Sequence, residues 1–127
     1  MKPEIGLFKS VLLFTLMLSF VSCKQNRKFT KDEWLKEVDF PVNNERNKMV
    51  DDLLNNYLNK PLSYQEVLGL LGEPFNKDSL SFSVSYITYI EYEWLGIDES
   101  QINYLDISFG QDSILKEAKA RIWNKKY

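Results

Sequence analysis

Ser63-Tyr64-Gln65-Glu66-Val67-Leu68-Gly69-Leu70-Leu71-Gly72-Glu73-Pro74 carries a start signal, an apolar stripe and a stop signal within one short segment. Ser63 and Glu66 have the spacing of a capping box, in which each side chain satisfies a backbone N–H that the first helical turn leaves unpaired. Val67, Leu68, Leu70 and Leu71 follow at helical intervals. Gly72 supplies a C-terminal cap and Pro74 blocks continuation. The period then changes. Phe82, Val84, Tyr86, Thr88, Ile90, Tyr92 and Trp94 alternate with Ser81, Ser83, Ser85, Ile87, Tyr89, Glu91 and Glu93. Alternation of aromatic and β-branched residues predicts a strand with one buried face. The run is long for one strand, so a bend or split is expected near Ser85.

Upstream of this junction, Thr30-Lys31-Asp32-Glu33 has capping-box spacing and predicts a short helix through Trp34 and Leu35. Phe40-Pro41-Val42 interrupts it. Asn43 or Asn44 is expected to cap the next helix, whose Met49, Val50, Leu53, Leu54, Tyr57 and Leu58 form one apolar stripe opposite Asp51, Asp52, Asn55 and Asn56. Downstream, Gly96-Ile97-Asp98-Glu99 predicts a turn and Leu105, Ile107 and Phe109 an inward-facing strand. Gly110-Gln111-Asp112-Ser113 gives the next hairpin signal, and residues 114–123 the last strand. Helices first and hairpin-linked strands second argue an α+β fold: two or three N-terminal helices on a three- to four-stranded antiparallel sheet.

Residues 1–23 have the three parts of a signal peptide: Lys2 and Lys9, an apolar run over residues 11–21, and the small-residue site Val21-Ser22 before Cys23. The run is shorter than the ~20 residues that span a bilayer. Val21-Ser22-Cys23 resembles a lipobox, after which bacterial lipoproteins are cut and acylated on cysteine, although Phe20 stands where Leu is usual. Cys23, the only cysteine, is therefore the expected lipidation site. Several acyl chains together anchor stably where one binds only marginally. Residues 1–22 are read as signal peptide, 23–43 as tether and short helix, and 44–127 as the α+β domain.

The composition excludes several chemistries. The sequence has 127 residues, no histidine and a formal charge of −2, becoming −3 once residues 1–22 and their Lys2, Lys9 and Glu4 are removed. No concentrated basic surface for nucleic acid is evident. The commonest general base and metal ligand is missing, and one cysteine makes no internal disulfide or cysteine-based metal cluster. Glu91 and Glu93 share a face of the strand but read as a solvated surface; Asp98 and Glu99 read as turn residues without an EF-hand pattern. Ser81, Ser83 and Ser85 lack a histidine or a Gly-x-Ser-x-Gly elbow. No catalytic residue, metal site or cofactor is expected. Tyr89, on the otherwise polar strand face beside Ile87 and Leu95, is the candidate binding residue.

The Leu70-Leu71-Gly72-Glu73-Pro74 helix end, the aromatic strands, and Leu105-Asp106-Ile107-Ser108-Phe109 with its following turn together resemble the SmpA/OmlA (BamE-like) family over roughly residues 45–122. That family comprises small outer-membrane lipoproteins with two helices on a three-stranded antiparallel sheet, and beta-lactamase inhibitor proteins are built from the same kind of unit. The resemblance implies a lipid-anchored, non-enzymatic envelope protein that docks on another protein in outer-membrane assembly or maintenance. Lys24, where an aspartate would signal inner-membrane retention, implies the outer membrane, facing the periplasm. The sheet's exposed face and the loop after Gly96 are the expected contacts. The alternative is a periplasmic inhibitor or immunity protein that binds a toxin or secreted enzyme. An apolar ligand pocket between helices and sheet is a further option.

Overall fold

The computed structural model describes residues 26–36 and 45–126. Their arrangement is α+β: α1 (Lys31–Leu35), α2 (Glu45–Asn56) and α3 (Tyr64–Leu71) precede β1 (Asn76–Asp78), β2 (Ser83–Tyr92), β3 (Glu99–Phe109) and β4 (Leu115–Asn124). The strands form one antiparallel sheet in the order β1-β2-β3-β4. Sequential hairpins account for this order, because neighbouring strands joined by short turns pair without a crossover. The expected signal peptide, Cys23 and the Asn43 or Asn44 cap lie outside the described residues.

α3 forms as its signals predict. Ser63 accepts from the Glu66 backbone N–H, Glu66 returns a bond to the Ser63 N–H, and Gly72 closes the helix at φ 77°. A side chain at Gly72 would also meet Leu35, whose Cδ2 would lie 2.8 Å from an added Cβ. The capping box expected at Thr30 does not form: its side chain makes no cap bond. Glu33 is instead engaged by Lys36 at 2.8 Å and approached by Arg27 at 4.0 Å. A helix of this length has no stability of its own, and α1 is held by what Trp34 touches.

Trp34 is fully buried, and its indole N–H donates to the Leu71 carbonyl at the end of α3, 3.0 Å away. Its ring meets Phe29 and Tyr86 edge-on, each at 6.1 Å between centroids, and Arg46 of α2 lies 4.8 Å above it. The Arg46 Nε also donates to the Trp34 carbonyl at 2.8 Å. Tyr86 from β2 donates to the Gly72 carbonyl at 2.7 Å. Burial raises the Tyr86 phenol well above its usual range, keeping it a neutral donor. Around this cluster pack Met49, Val50 and Leu53 of α2, Val67 and Leu71 of α3, and Val84, Leu105, Ile107 and Phe109 of the sheet. Phe29 and Trp34, in the segment read as tether and short helix, are thus core residues.

That segment is also strapped to α2. Asn26 donates to Asp51 at 3.0 Å, the Arg27 N–H to the Lys48 carbonyl at 3.0 Å, and the Phe29 N–H to Asp52 at 2.7 Å. The Phe29 N–H, aided by Asn56, lowers the Asp52 pKa. Asp52, on the face opposite the apolar stripe, serves as the acceptor that fixes the incoming chain.

The strand break falls at Thr88 rather than near Ser85. Ile87 pairs with Tyr104 but Tyr89 with Asn103, so Thr88 is an extra residue in β2. Buried Thr88 Oγ1 lies 3.2 Å from Asn47 Oδ1 and 3.1 Å from the Asn103 carbonyl. Asn103 Nδ2 reaches the same Asn47 oxygen at 3.1 Å. A bulge reverses the alternation beyond it. Val84, Tyr86 and Thr88 face the core as expected, but Ile90 pairs with Ile102 on the opposite face and Trp94 is fully out.

Two variants test this account by urea denaturation. Trp34→Ala is expected to destabilise the domain by about 3–5 kcal/mol through lost volume and an orphaned carbonyl. Ser63→Ala should cost about 1 kcal/mol, the value of one N-cap; an effect of that size from Thr30→Ala as well would contradict the absence of a cap there.

Candidate docking surface

Among the described residues, the helices pack on one face of the sheet and nothing packs on the other. Strand register arranges the open face in cross-strand rows, because directly paired residues share a face. Ser83, Ser108 and Glu117 form the first row, and Ser85, Asp106 and Lys119 the second. Ile87, Tyr104 and Arg121 form the third, and Ile90, Ile102 and Trp123 the fourth. The surface thus grades from hydroxyl and charge at one end to apolar side chains at the other.

Asp106 organises the polar part. It accepts from Ser85 Oγ at 2.6 Å and from Arg121 Nε and Nη2 at 2.5 and 3.3 Å. Arg121 in turn lies 4.2 Å above the Tyr104 ring. Burial raises the Asp106 pKa, but the hydrogen bonds from Arg121 and Ser85 and the charges of Arg121 and Lys119 outweigh it, so the carboxyl sits below its ordinary value. A carboxylate held this way is a poor proton acceptor. Asp106 is therefore a weak base for Ser85, and the cluster is an ordered set of charge-assisted hydrogen bonds on the sheet. A shallow depression of ≈ 440 Å³ beside it is lined by Asp78, Ser83, Asp106, Glu117 and Lys119 among others.

The apolar end continues into the turn between β2 and β3. Trp94, Leu95 and Ile97 are 92%, 63% and 77% exposed. Gly96 adopts φ 71°, the left-handed conformation the turn requires. The base is closed by Glu93 N–H to the Asp98 carbonyl at 2.9 Å and Gly96 N–H to the Glu93 carbonyl at 2.7 Å. Lys125 joins it from the end of β4, 2.9 Å from Glu93 and 3.7 Å from Asp98. Three large apolar side chains are thus presented on a braced turn. Their signal was present in the sequence as Trp94-Leu95-Gly96-Ile97, because large apolar residues flanking a turn glycine are unusual where polar ones prevail.

The other expected positions distribute as follows. Tyr89 is half-buried and, through the bulge, pairs with Asn103 on the helix side instead of standing beside Ile87 on the open face. Glu91 and Glu93 are not a working pair, since Glu93 is tied to Lys125 while Glu91 lies exposed opposite Gln101. Ser81 and Ser83 lie 2.7 Å apart, Oγ to Oγ. Among the described residues no group of three or more acidic or cysteine side chains is placed to hold a metal ion. A groove of ≈ 480 Å³ runs between α2 and the sheet, lined by Asn26, Asn47, Thr88 and Asn103 together with Val50, Ala120 and Ile122 among others.

Asp106 gives a pH test with a defined sign. Its folded pKa is depressed, so the stability it contributes is complete above the unfolded value of about 3.9 and is lost as pH falls through the lower folded value. Asp106→Asn should therefore be less stable than the parent near neutrality, with the gap narrowing below about pH 4. Urea midpoints at pH 7 and pH 3 check this; a gap that widens in acid contradicts it.

Comparison with protein-family models, curated proteins and solved structures finds no match for this chain, so the reading of the site rests on its own residues.

Proposed function

We propose that this protein is a lipid-anchored, non-enzymatic module of the bacterial cell envelope that docks on another envelope protein through its open sheet face. The observation that carries the reading is a sheet that the described helices cover on one side only, whose other face presents Arg121 stacked on Tyr104 next to the row Ile90, Ile102 and Trp123. Arginine, tyrosine and tryptophan are the residue types that most often dominate protein interfaces. The N-terminal sequence supports the address: a basic start, an apolar run and the sole cysteine at the end of a lipobox-like tripeptide. The resemblance to SmpA/OmlA lipoproteins agrees with that address and with a place at the outer membrane.

The mechanism needs no chemistry at the site. Acylation at Cys23 confines the domain to a surface, which raises its effective concentration near a partner and lets a modest contact suffice. The aromatic and aliphatic side chains of the apolar row supply desolvated area, and the Ser85–Asp106–Arg121 cluster supplies orientation.

Crosslinked recovery from native membranes tests the reading with three forms of the tagged chain. The parent is expected to enrich envelope-assembly proteins, Cys23→Ser to lose them, and Trp123→Glu to lose them while staying membrane-bound. Recovery of one secreted enzyme or toxin, equally by the parent and by Cys23→Ser, would replace this reading with that of an inhibitor or immunity protein.

A further inference from the structure

We propose that the β2–β3 turn, Trp94-Leu95-Gly96-Ile97, is a second membrane contact, seated in the interfacial layer of the bilayer that holds the Cys23 lipid. This rests on the lipoprotein reading and adds to it an orientation of the domain on the membrane. The sheet face then remains free for the protein partner.

The length of the tether is the first argument. Asn26 is pinned to Asp51, and the Arg27 N–H to the Lys48 carbonyl, so the chain is fixed to α2 by the third residue after Cys23. Three extended residues reach about 11 Å at most. Asn26 borders the same groove as Ile122, whose strand partner is Asn103. From Asn103 the strand runs four positions to Glu99 at the base of the turn, about 13 Å at ~3.4 Å per residue. A turn that enters the interface by the ~5–10 Å usual for apolar segments brings the Asn26 level within reach of the tether.

The same measure disfavours the other exposed apolar cluster. Phe82 lies beside Phe109, whose N–H donates to the Phe82 carbonyl, at the opposite end of the strands. That end is six positions from Asn103 in the other direction, about 20 Å away. With the same ~5–10 Å of insertion, contact through Phe75, Leu80 and Phe82 holds Asn26 about 10–15 Å from the boundary, about 7 Å farther than contact through the β2–β3 turn.

Side-chain chemistry is the second argument. Tryptophan and aliphatic residues on a protruding turn match the amphipathic layer at the membrane boundary. Gly96 lets the turn close, and Lys125 with Glu93 and Asp98 braces its base. Glu91 and Glu99 remain on the flanks with Lys126. This surface has no excess of positive charge, so the contact is hydrophobic. On zwitterionic lipid it is insensitive to salt.

The test uses the processed protein, extracted from membranes in detergent and reconstituted into phosphatidylcholine vesicles with or without bromine on the acyl chains. Bromine quenches tryptophan on contact. Trp34 is buried and serves as an internal reference. The parent is expected to lose about a third of its emission in brominated vesicles, equally at low and high salt, and Trp94→Phe to lose markedly less. The mass of the N-terminal peptide reports the anchor separately. Without acyl mass on Cys23, the lipoprotein reading fails and the proposal falls with it. An acylated chain that floats with the vesicles while Trp94→Phe and the parent quench alike overturns the proposal alone. A two-copy mass in detergent with Trp94 shielded would also overturn it, assigning the turn to a second chain.

Discussion

Trp34 connects every layer of this small domain. Its indole N–H terminates α3, its carbonyl receives Arg46 from α2, and its ring faces Phe29 on one side and Tyr86 of the sheet on the other. A chain of this size buries too little apolar surface to tolerate loose packing of its largest side chain. The tryptophan also solves a polar problem. The last carbonyls of a helix have no partners within it, and here the Leu71 and Gly72 carbonyls are taken by Trp34 and Tyr86. The short α1 exists because it delivers that side chain.

The second constraint is the bulge at Thr88. Its extra residue lets β2 follow the helices over Val84, Tyr86 and Thr88 and then turn its apolar side chains to the open face. The amide cluster of Asn47, Asn103 and Gln101 satisfies the polar groups the bulge brings inward; Gln101 donates to Asn103 at 2.8 Å. Arg46 extends it, reaching the Ile87 carbonyl at 3.3 Å next to the bulge. Trp34 and the bulge are thus linked through one guanidinium, so packing of α1 and the hand-over of apolar residues to the open face depend on each other. The fold creates the apolar part of the open face by leaving the core, at a defined residue, with apolar sequence to spare.

Much of the fold was legible because its signals are local. The Ser63–Glu66 box, the Gly72 cap, the α2 stripe and the inward Leu105, Ile107 and Phe109 are each written within a few residues. What failed depended on distant partners. Thr30 has the right neighbours for a cap, yet Glu33 is drawn to Lys36 and Arg27. Strict alternation predicted Ile90 inside and Tyr89 on the open face, but one inserted residue, favoured by Asn47 and Asn103 from elsewhere in the chain, exchanges their environments. The candidate surface was half legible: the open face followed from alternation, whereas the Asp106–Arg121–Tyr104 cluster joins residues on adjacent strands whose register no local pattern specifies.

The sequence by itself determined the α+β order, the helix ends marked by Ser63 and Gly72, and the hairpin turns at Gly96 and Gly110, because capping, periodicity and turn chemistry act between near neighbours. Tertiary structure alone decided that Trp34 is the centre of the core, that Asp52 fixes the incoming chain, and that β2 changes face at Thr88. Each of those depends on a hydrogen bond or ring contact between segments far apart in the chain, and such a pairing exists only once the helices have settled on the sheet.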